Sequence, residues 1–284
     1  MTEIIDAKEI ENLMLKGFSA YIDRYSCRTN KVPKFMIINA SDNPANKRYI
    51  KSKVDMANKV GLQVVVKEFD IGVTDQDIIL ELQYCARQHI PVIVQLPIYE
   101  HLNTQEILKY IDWKVDADGF TSKWMANVIN PSYTDIYPAT PKGVMYLLDY
   151  HCVPLKGKVA LVIGTGKHVG QPLANMLMNE GCTVITANSF TKDLSSLVRI
   201  SDIVISCVGK PNLIKAEDVK KDAVLIGVGF SYIDGKQVLD FDIDEVIKDG
   251  KASLVSNRIN CTGKMTVLSL IDNVLELHRL NRGF

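Results

Sequence analysis

Residues 159–177 read VALVIGTGKHVGQPLANML and run from an apolar strand through a glycine-rich turn into a helix. Gly164 allows a sharp turn, Gly166 removes a side chain where a phosphate would approach, and Gly170 lets the helix lie close to the sheet. The backbone N–H groups at the helix start would then face a pyrophosphate, helped by the helix dipole. The segment predicts a dinucleotide-binding turn; a strand-to-helix connection without a ligand is the alternative.

Apolar runs continue on both sides of this turn. In the second half of the chain they are residues 158–166, 183–189, 202–208 and 223–229. Helical segments separate them, which is typical of a doubly wound parallel sheet.

The side chains that would meet the coenzyme ribose do not decide between NADP and NAD. An acidic residue about 20 positions after the turn would select NAD, but the chain has Asn188-Ser189-Phe190-Thr191-Lys192 there. Ser189, Thr191 and Lys192 could hold a 2′-phosphate, or they could cap the next helix.

The first half of the chain alternates in the same way. Its predicted strands are KFMIINA (34–40), LQVVVKEF (62–69) and PVIVQLP (91–97), and its predicted helices are residues 44–61 and 75–89. Few periodic signals occur in residues 121–141, which contain several prolines, so we expect the chain to cross between domains there. The last apolar helix, from about Met265 to Leu280, could pack back on the first domain.

These patterns predict an α/β protein of two domains with a cleft between them. We expect an N-terminal α/β domain of residues 1–121 plus 265–284, and a doubly wound Rossmann-type nucleotide-binding domain of residues 122–264. A length of 284 residues agrees with two domains.

Composition excludes several classes of protein. Lys and Arg number 33, as do Asp and Glu, so the net charge of zero gives no overall attraction to nucleic acid or to an anionic membrane. The chain start, MTEIIDAKEIENL, has apolar residues at helical spacing and no signal peptide, and no apolar stretch approaches the ~18–20 residues of a membrane helix. We therefore expect a cytoplasmic protein. The six cysteines and five histidines are scattered, which indicates reduced thiols and no metal site.

A lysine-rich helix is predicted in the first domain. Residues 41–61 read SDNPANKRYIKSKVDMANKVG and place Tyr49 and Lys53 four residues apart, on one helix face. Neighbouring Lys and Arg residues give the alternative of a solvated basic helix, and periodicity alone favours that alternative.

Short motifs continue along nearly the whole chain in a fixed order. They are Asp42-x-Pro-Ala, Tyr49-Ile-x-x-Lys53, Val94-Gln95-Leu96-Pro97, Asp116-x-Asp118-Gly119-Phe120, Pro138-x-Thr140-Pro141-x-Gly143, Val169-Gly170-x-Pro172, Val208-Gly209-Lys210-Pro211 and Met265-Thr266. In this order and at these intervals, the set resembles the bifunctional methylenetetrahydrofolate dehydrogenase/cyclohydrolase family.

The resemblance implies roles for four residues of the first, folate-binding catalytic domain. Lys53 would transfer protons and activate water, and Gln95 would be the uncharged hydrogen-bond partner that tunes it. Asp118 would accept hydrogen bonds from the amino-pyrimidine edge of the pterin, and Tyr49 would pack against the aromatic linker of the folate. The alternatives are that Asp118 is only a turn residue and that Gln95 only caps a strand.

The resemblance also implies an activity. The family oxidises 5,10-methylenetetrahydrofolate to the methenyl form with NADP, or with NAD, and hydrolyses that product to 10-formyltetrahydrofolate. It implies a cytoplasmic homodimer of one-carbon metabolism and purine biosynthesis, formed through the nucleotide domain and without a metal. The expected coenzyme contacts are Gly164, Thr165, Gly166, Gly170, Ser189 and Phe230.

Three departures from the family pattern lie near the coenzyme. The family usually has serine at the position of Gly166 and often arginine at that of Thr165, and a His-Ser-x-Thr pattern where this chain has residues 188–191. Its Pro-Val-Pro-Gly-Gly-Val-Gly-Pro-Met-Thr loop is here residues 257–266, NRINCTGKMT, which should follow a different path. Arg258 or Lys264 could bind an acidic part of a ligand or lie on the surface. A member specialised for one half-reaction, or a folate- or nucleotide-binding regulatory protein without turnover, are therefore alternatives.

Overall fold

The structure is a computed structural model of the chain. It describes residues 2–132, 134–233, 236–258 and 261–281. The chain forms two compact units, which are Met1–Glu11 with Thr140–Thr266, and Asn12–Ala139 with Val267–Phe284. We call the first the six-stranded unit and the second the three-stranded unit, after their parallel sheets. This grouping differs from the expected boundaries, because residues 122–139 fall in the three-stranded unit and the first eleven residues in the six-stranded unit.

The elements alternate along the chain as the sequence predicts. The strands are β1 (Glu3–Ile5), β2 (Lys34–Asn39), β3 (Gln63–Glu68), β4 (Val92–Val94), β5 (Val159–Ile163), β6 (Thr183–Ala187), β7 (Ile203–Ser206), β8 (Val224–Gly227), β9 (Phe230–Ile233), β10 (Lys236–Leu239) and β11 (Leu254–Ser256). The α-helices are α1 (Lys8–Thr29), α2 (Pro44–Val60), α3 (Asp75–Gln88), α4 (Thr104–Lys109), α5 (Ser122–Ile129), α6 (Ala139–Tyr150), α7 (Gly170–Asn179), α8 (Leu194–Ile200), α9 (Ile243–Asp249) and α10 (Thr262–Leu280).

The three-stranded unit is built around β2, which pairs in parallel with β3 on one side and β4 on the other. Alternate residues of β2 and β4 share one buried apolar cluster with α3, which includes Met36, Ile38 and Leu82. Burial on this scale stabilises each large apolar side chain by about 1.5–3 kcal/mol. The sheet thus holds the ends of β2 and β4 in fixed register.

The sequence of α2 sets both of its ends. Asn43 caps the first turn by accepting a hydrogen bond from the Ala45 N–H at 2.9 Å, and Pro44 occupies the first helical position. Gly61 ends the helix in the left-handed conformation at φ 84°, which favours glycine. The helix that carries Tyr49 and Lys53 is therefore specified locally.

The six-stranded unit has the parallel strand order β1-β11-β8-β7-β5-β6. From β5 the chain goes to β6 on one side and then to β7 on the other, so the strand order reverses between β5 and β7. Residues of β5, β7, β8 and β11 pack with α8 and α9 in one cluster, which includes Leu161, Val204, Leu225 and Val246. A two-domain α/β protein with a doubly wound sheet is confirmed.

Several elements lie where the sequence patterns gave no strand or helix. The chain start was expected to be helical, but β1 occupies Glu3–Ile5 and pairs with β11. The hairpin of β9 and β10 was not expected, nor was α5 at Ser122–Ile129, within the expected crossing. Strands of three or four residues are too short to show a period of two. Among the described residues, no helix is both long and apolar enough to cross a membrane.

The last helix joins the three-stranded unit from Val267 onward. Asn273, fully buried on α10, donates from Nδ2 to the Ala117 carbonyl at 2.9 Å and the Tyr137 carbonyl at 2.8 Å. Asn273 therefore fixes the backbone immediately before residue 118.

We expect Asn273→Leu to lower the free energy of unfolding by about 1–3 kcal/mol, because one buried and one half-buried carbonyl lose their donor. Ser269→Ala is the matched control on α10, since its buried hydroxyl has no hydrogen-bond partner among the described residues. Urea titration followed by circular dichroism measures both. Equal midpoints for the two variants would contradict the assigned role of Asn273.

Candidate active site

Helix α2 is fixed to the end of β4 by a buried asparagine. Asn46 donates from Nδ2 to the carbonyl oxygen of Pro97 at 2.9 Å and faces that of Gln95 at 3.5 Å. Asn46, Ile50 and Lys53 lie at intervals of four and three residues, so they share one face of α2. The same face therefore anchors the helix and brings Lys53 to the strand end.

Lys53 makes a direct contact with Gln95. Its Nζ donates to Gln95 Oε1 at 2.8 Å. The Gln95 side chain is buried, its Nε2 donates to the Leu96 carbonyl at 2.9 Å, and its backbone N–H donates to the Ile38 carbonyl at 2.8 Å. Because the amide nitrogen is used by Leu96, the amide oxygen is directed at the lysine. The expected partnership of these two residues has the geometry of a strong hydrogen bond.

Burial controls the charge of Lys53. Removal from water lowers the pKa of the ammonium below its usual value, and the nearby Asp118 carboxylate opposes this by raising it. Desolvation is the larger of the two effects, so the neutral amine is more accessible than in an exposed lysine. A lysine of this kind can act as a proton acceptor.

The loop that carries Asp118 is shaped by a second carboxylate. Asp116 is buried; its Oδ1 accepts the Gly119 N–H at 3.0 Å and its Oδ2 accepts the Thr121 N–H at 2.7 Å. Burial raises the pKa of Asp116 to about 6, with the hydrogen bonds from Thr121 opposing the shift. Asp116 thus uses both oxygens on the backbone, and half-buried Asp118, two residues later, is close enough to Lys53 to raise the lysine pKa.

Gly119 is required by the same loop. Its φ of 75° lies in the left-handed region, and a Cβ there would be 2.8 Å from the backbone carbonyl of Tyr137. Any side chain would collide with backbone that cannot rotate away. The residue after Asp118 is therefore glycine for steric reasons.

The structure brings the predicted catalytic residues together to different degrees. Lys53 and Gln95 are in contact, and Asp118 is near enough to affect the Lys53 pKa. Tyr49 lies one helical turn before Lys53, and 43% of its surface is exposed. Sequence reasoning missed Asn46; its spacing from Ile50 and Lys53 on one face was the available signal.

The glycine turn lies at the carboxyl end of β5, where the strand order reverses. Gly164 has φ 95° and donates its N–H to the Ala187 carbonyl at 2.8 Å. A Cβ on Gly170 would lie 1.7 Å from the Gly164 carbonyl oxygen, whereas one on Gly166 would meet no described atom within 4 Å. The start of α7 therefore packs against the turn, and open space remains over Gly166. Half-buried Thr165 lies between Gly164 and Gly166 in the sequence. A glycine turn with open space at the start of a helix fits a dinucleotide pyrophosphate.

The neighbouring strand β7 ends in a second glycine turn. Gly209 has φ 76°, and a Cβ there would lie 2.8 Å from the Phe230 carbonyl oxygen. Buried Asp240 accepts the N–H groups of Val208 at 3.2 Å and Gly209 at 3.1 Å, and also the Ser206 hydroxyl. Phe230 thus borders the turn after β7. Asp240 was missed, because a carboxylate bonded only to backbone and serine has no sequence signature.

The loop after β6 is a compact turn. Asn188 Oδ1 accepts the Phe190 N–H at 2.9 Å, and Thr191 Oγ1 accepts the Asn188 N–H at 3.0 Å. Asp193 caps α8, so the alternative that Ser189, Thr191 or Lys192 provides this cap is wrong. Ser189 and Lys192 are exposed beside the turn.

Known proteins match this chain over almost its whole length. The models of the tetrahydrofolate dehydrogenase/cyclohydrolase family match as its catalytic domain over residues 5–118 and as its NAD(P)-binding domain over residues 138–282. The chain belongs to this family. The bifunctional protein FolD of Mycoplasma mycoides is 33% identical over 98% of this chain and 97% of that protein.

Solved structures agree with this membership. The FolD methylenetetrahydrofolate dehydrogenase/cyclohydrolase of Campylobacter jejuni superposes with a TM-score of 0.93 and 28% identity, covering 99% of this chain and all of that one. The dehydrogenase-cyclohydrolase of Trypanosoma brucei, solved with NADP and an inhibitor, has a TM-score of 0.92 and 26% identity, covering 99% and 98%. The resemblance drawn from the ordered motifs is confirmed.

The cations of the altered loop are paired inside the six-stranded unit. Lys264 Nζ lies 2.6 Å from Glu11 Oε2, and Arg258 Nη2 lies 2.9 Å from Asp244 Oδ2. These pairs favour a structural role over binding an acidic ligand. The loop residues Ile259 and Asn260 lie outside the described residues. No group of His, Cys, Asp and Glu in the described ranges has the arrangement of a metal site.

We expect Asp118→Asn to lower the pKa of Lys53 further, because the carboxylate that favours the ammonium is removed. Asp55→Asn is the matched control, since it also removes one carboxylate charge, here from an exposed position on α2. Titration of the Lys53 side-chain signals by NMR measures both changes. A Lys53 pKa that rises, or falls equally in the two variants, would contradict the arrangement.

We expect Gly170→Ala to lower the free energy of unfolding by about 1–3 kcal/mol or more, because its Cβ would strike the Gly164 carbonyl. Gly166→Ala, with open space, should change it by less than about 0.5 kcal/mol. Thermal unfolding of the two variants is the measurement. Equal melting temperatures would show that the close approach of α7 to the turn is incorrect.

Proposed function

We propose that this protein oxidises 5,10-methylenetetrahydrofolate to 5,10-methenyltetrahydrofolate with NADP, and hydrolyses the methenyl form to 10-formyltetrahydrofolate. The observation that carries the proposal is the Lys53–Gln95 hydrogen bond, at a lysine whose pKa is lowered by burial and which faces Asp118. Both activities are those for which the Campylobacter jejuni enzyme is named, and that enzyme matches 99% of this chain.

Hydrolysis needs a base at the methenyl carbon. Water attacks this electrophilic carbon and loses a proton, and the neutral amine of Lys53 accepts it. Gln95 holds the amine in place with an uncharged oxygen, so it does not add a counter-charge that would return the pKa to its usual range. The same ammonium then gives this proton to the nitrogen released when the C–N bond of the ring breaks, while the formyl C=O forms and the remaining hydroxyl proton passes to solvent.

Asp118 and Tyr49 orient the substrate. A carboxylate at residue 118 accepts paired N–H donors from the amino-pyrimidine edge of the pterin. The exposed ring of Tyr49 packs against the aromatic linker, one helical turn from the amine. Together they place the one-carbon unit at Lys53, and positioning of this kind supplies much of the rate.

The glycine turn supplies the coenzyme contacts. Gly164, Thr165, Gly166 and Gly170 would receive the pyrophosphate at the start of α7, with Ser189 near the ribose and Phe230 beside the turn after β7. The bound nicotinamide accepts the hydride that leaves the folate. Exposed Lys192, and the lack of a carboxylate at residues 188–192, support NADP, with NAD as the second coenzyme.

The remaining assignments follow from the same proposal. The three-stranded unit would be the folate-binding catalytic domain and the six-stranded unit the NADP-binding domain, as the two matched family models support. The protein would act in the cytoplasm as a homodimer and bind no nucleic acid, which the net charge of zero supports. Its product would serve one-carbon metabolism, purine biosynthesis included.

A spectrophotometric assay tests the activity. We expect purified protein to convert methylenetetrahydrofolate with NADP faster than with NAD, and to consume methenyltetrahydrofolate. Lys53→Met should reduce hydrolysis by at least about a hundredfold, because the base is lost. Lys51→Met, which removes an exposed ammonium from α2, is the control and should leave both rates unchanged.

The proposal fails if neither coenzyme is reduced and methenyltetrahydrofolate is not consumed. One robust rate beside one negligible rate would instead identify a member specialised for a half-reaction, which the changed residues Thr165 and Gly166 would explain.

A further inference from the structure

Phe190 is an aromatic side chain held in solvent. Its residue surface is 89% exposed, which is greater than for any other large exposed apolar residue in the described part of the chain. Single exposed apolar residues are common, so exposure alone assigns no role. The position and the rigidity of Phe190 are what distinguish it.

The backbone around Phe190 is fixed by local hydrogen bonds. The Phe190 N–H donates to Asn188 Oδ1, and the Asn188 N–H donates to Thr191 Oγ1. The Thr191 N–H returns to the Asn188 carbonyl at 3.0 Å. Three bonds within four residues define the turn, so the ring is presented with little backbone freedom. A preorganised aromatic surface binds a flat partner at a lower entropic cost.

The turn is at the coenzyme end of the sheet. It follows β6, the second strand counted from the glycine turn, and the Gly164 N–H donates to the Ala187 carbonyl at the end of β6. In doubly wound folds, the end of this second strand meets the adenosine half of a dinucleotide. Phe190 is three residues beyond Ala187, and this position after β6 corresponds to the adenosine side of such a site rather than the nicotinamide side.

We propose that the ring of Phe190 stacks on the adenine of the coenzyme and is a binding platform for it. This inference rests on the proposed use of a nicotinamide coenzyme. A π-face needs no hydrogen-bond partner, which suits a turn whose Asn188 and Thr191 side chains are already bonded internally. By analogy with base stacking in nucleic-acid complexes, loss of the ring weakens binding by roughly five- to hundredfold.

Direct binding to the full-length protein tests the proposal. Calorimetry measures the Kd of NADP and of adenosine 2′,5′-bisphosphate, which lacks the nicotinamide half. Phe190→Ala should raise both values by the same factor, within the range of roughly five- to hundredfold. Phe190→Trp should keep them within about twofold, since its ring also stacks. In the dehydrogenase assay, Phe190→Ala should raise the KM for NADP and leave kcat unchanged.

Met178→Ala is the matched control. Met178 is 49% exposed near the carboxyl end of α7, in the same unit, and its loss should not affect either Kd. An unchanged Kd in Phe190→Ala overturns the inference, as does a loss for NADP without one for the bisphosphate. If the unaltered protein binds neither compound, the coenzyme part of the proposed function is overturned as well. Binding of NADP by the unaltered protein therefore tests the proposed function. The ratio of Kd between Phe190→Ala and the unaltered protein tests the role of Phe190.

Discussion

The candidate active site of the three-stranded unit depends on a lysine that is removed from water and bonded to a neutral amide. Burying an ammonium costs several kcal/mol unless partners compensate, and a single amide oxygen compensates only in part. The Lys53 pKa is lowered for this reason. A carboxylate in place of Gln95 would favour the charged ammonium of Lys53. The structure therefore needs a buried partner that is polar but uncharged, and it needs both groups to be held rigidly.

Rigid placement comes from polar side chains that bond to backbone rather than to one another. Asn46 holds α2 to the end of β4, and Asn273 holds the carbonyls on either side of the Asp118 loop. Asp116 organises the loop from within. The pKa of Asp116 in the folded protein, about 6, is above its ordinary value. Protonated Asp116 therefore stabilises the folded state, and this contribution is complete only at acidic pH. That contribution is lost as the pH rises through about 6. At neutral pH, Asp116 therefore holds the loop that carries Asp118 at a cost in folding free energy.

The sequence predicts those parts of the fold that repeat over enough residues to show a period. The sequence places β2 and α2 within one residue of their observed ends, because an apolar run and local caps specify them. β1 and β11 have three residues each and depend on pairing with strands distant in sequence, β1 with β11 and β11 also with β8, so no local pattern could reveal them. Lys53 and Gln95 came from ordered motifs. Asn46 and Asp240 did not, because their partners are mainly backbone groups distant in sequence.

The two candidate sites use one principle with opposite chemistry. Each lies at the carboxyl ends of parallel strands, where a chain must turn and side chains or N–H groups are left free of the ladder. At β4 the turn carries Gln95, and desolvation makes a lysine less charged. At β5 the turn has glycine at positions 164 and 166, so no side chain covers the backbone dipoles or the start of α7. A proton acceptor needs a buried side chain, whereas a phosphate site needs bare backbone. The different tolerance of these positions to substitution follows from that contrast.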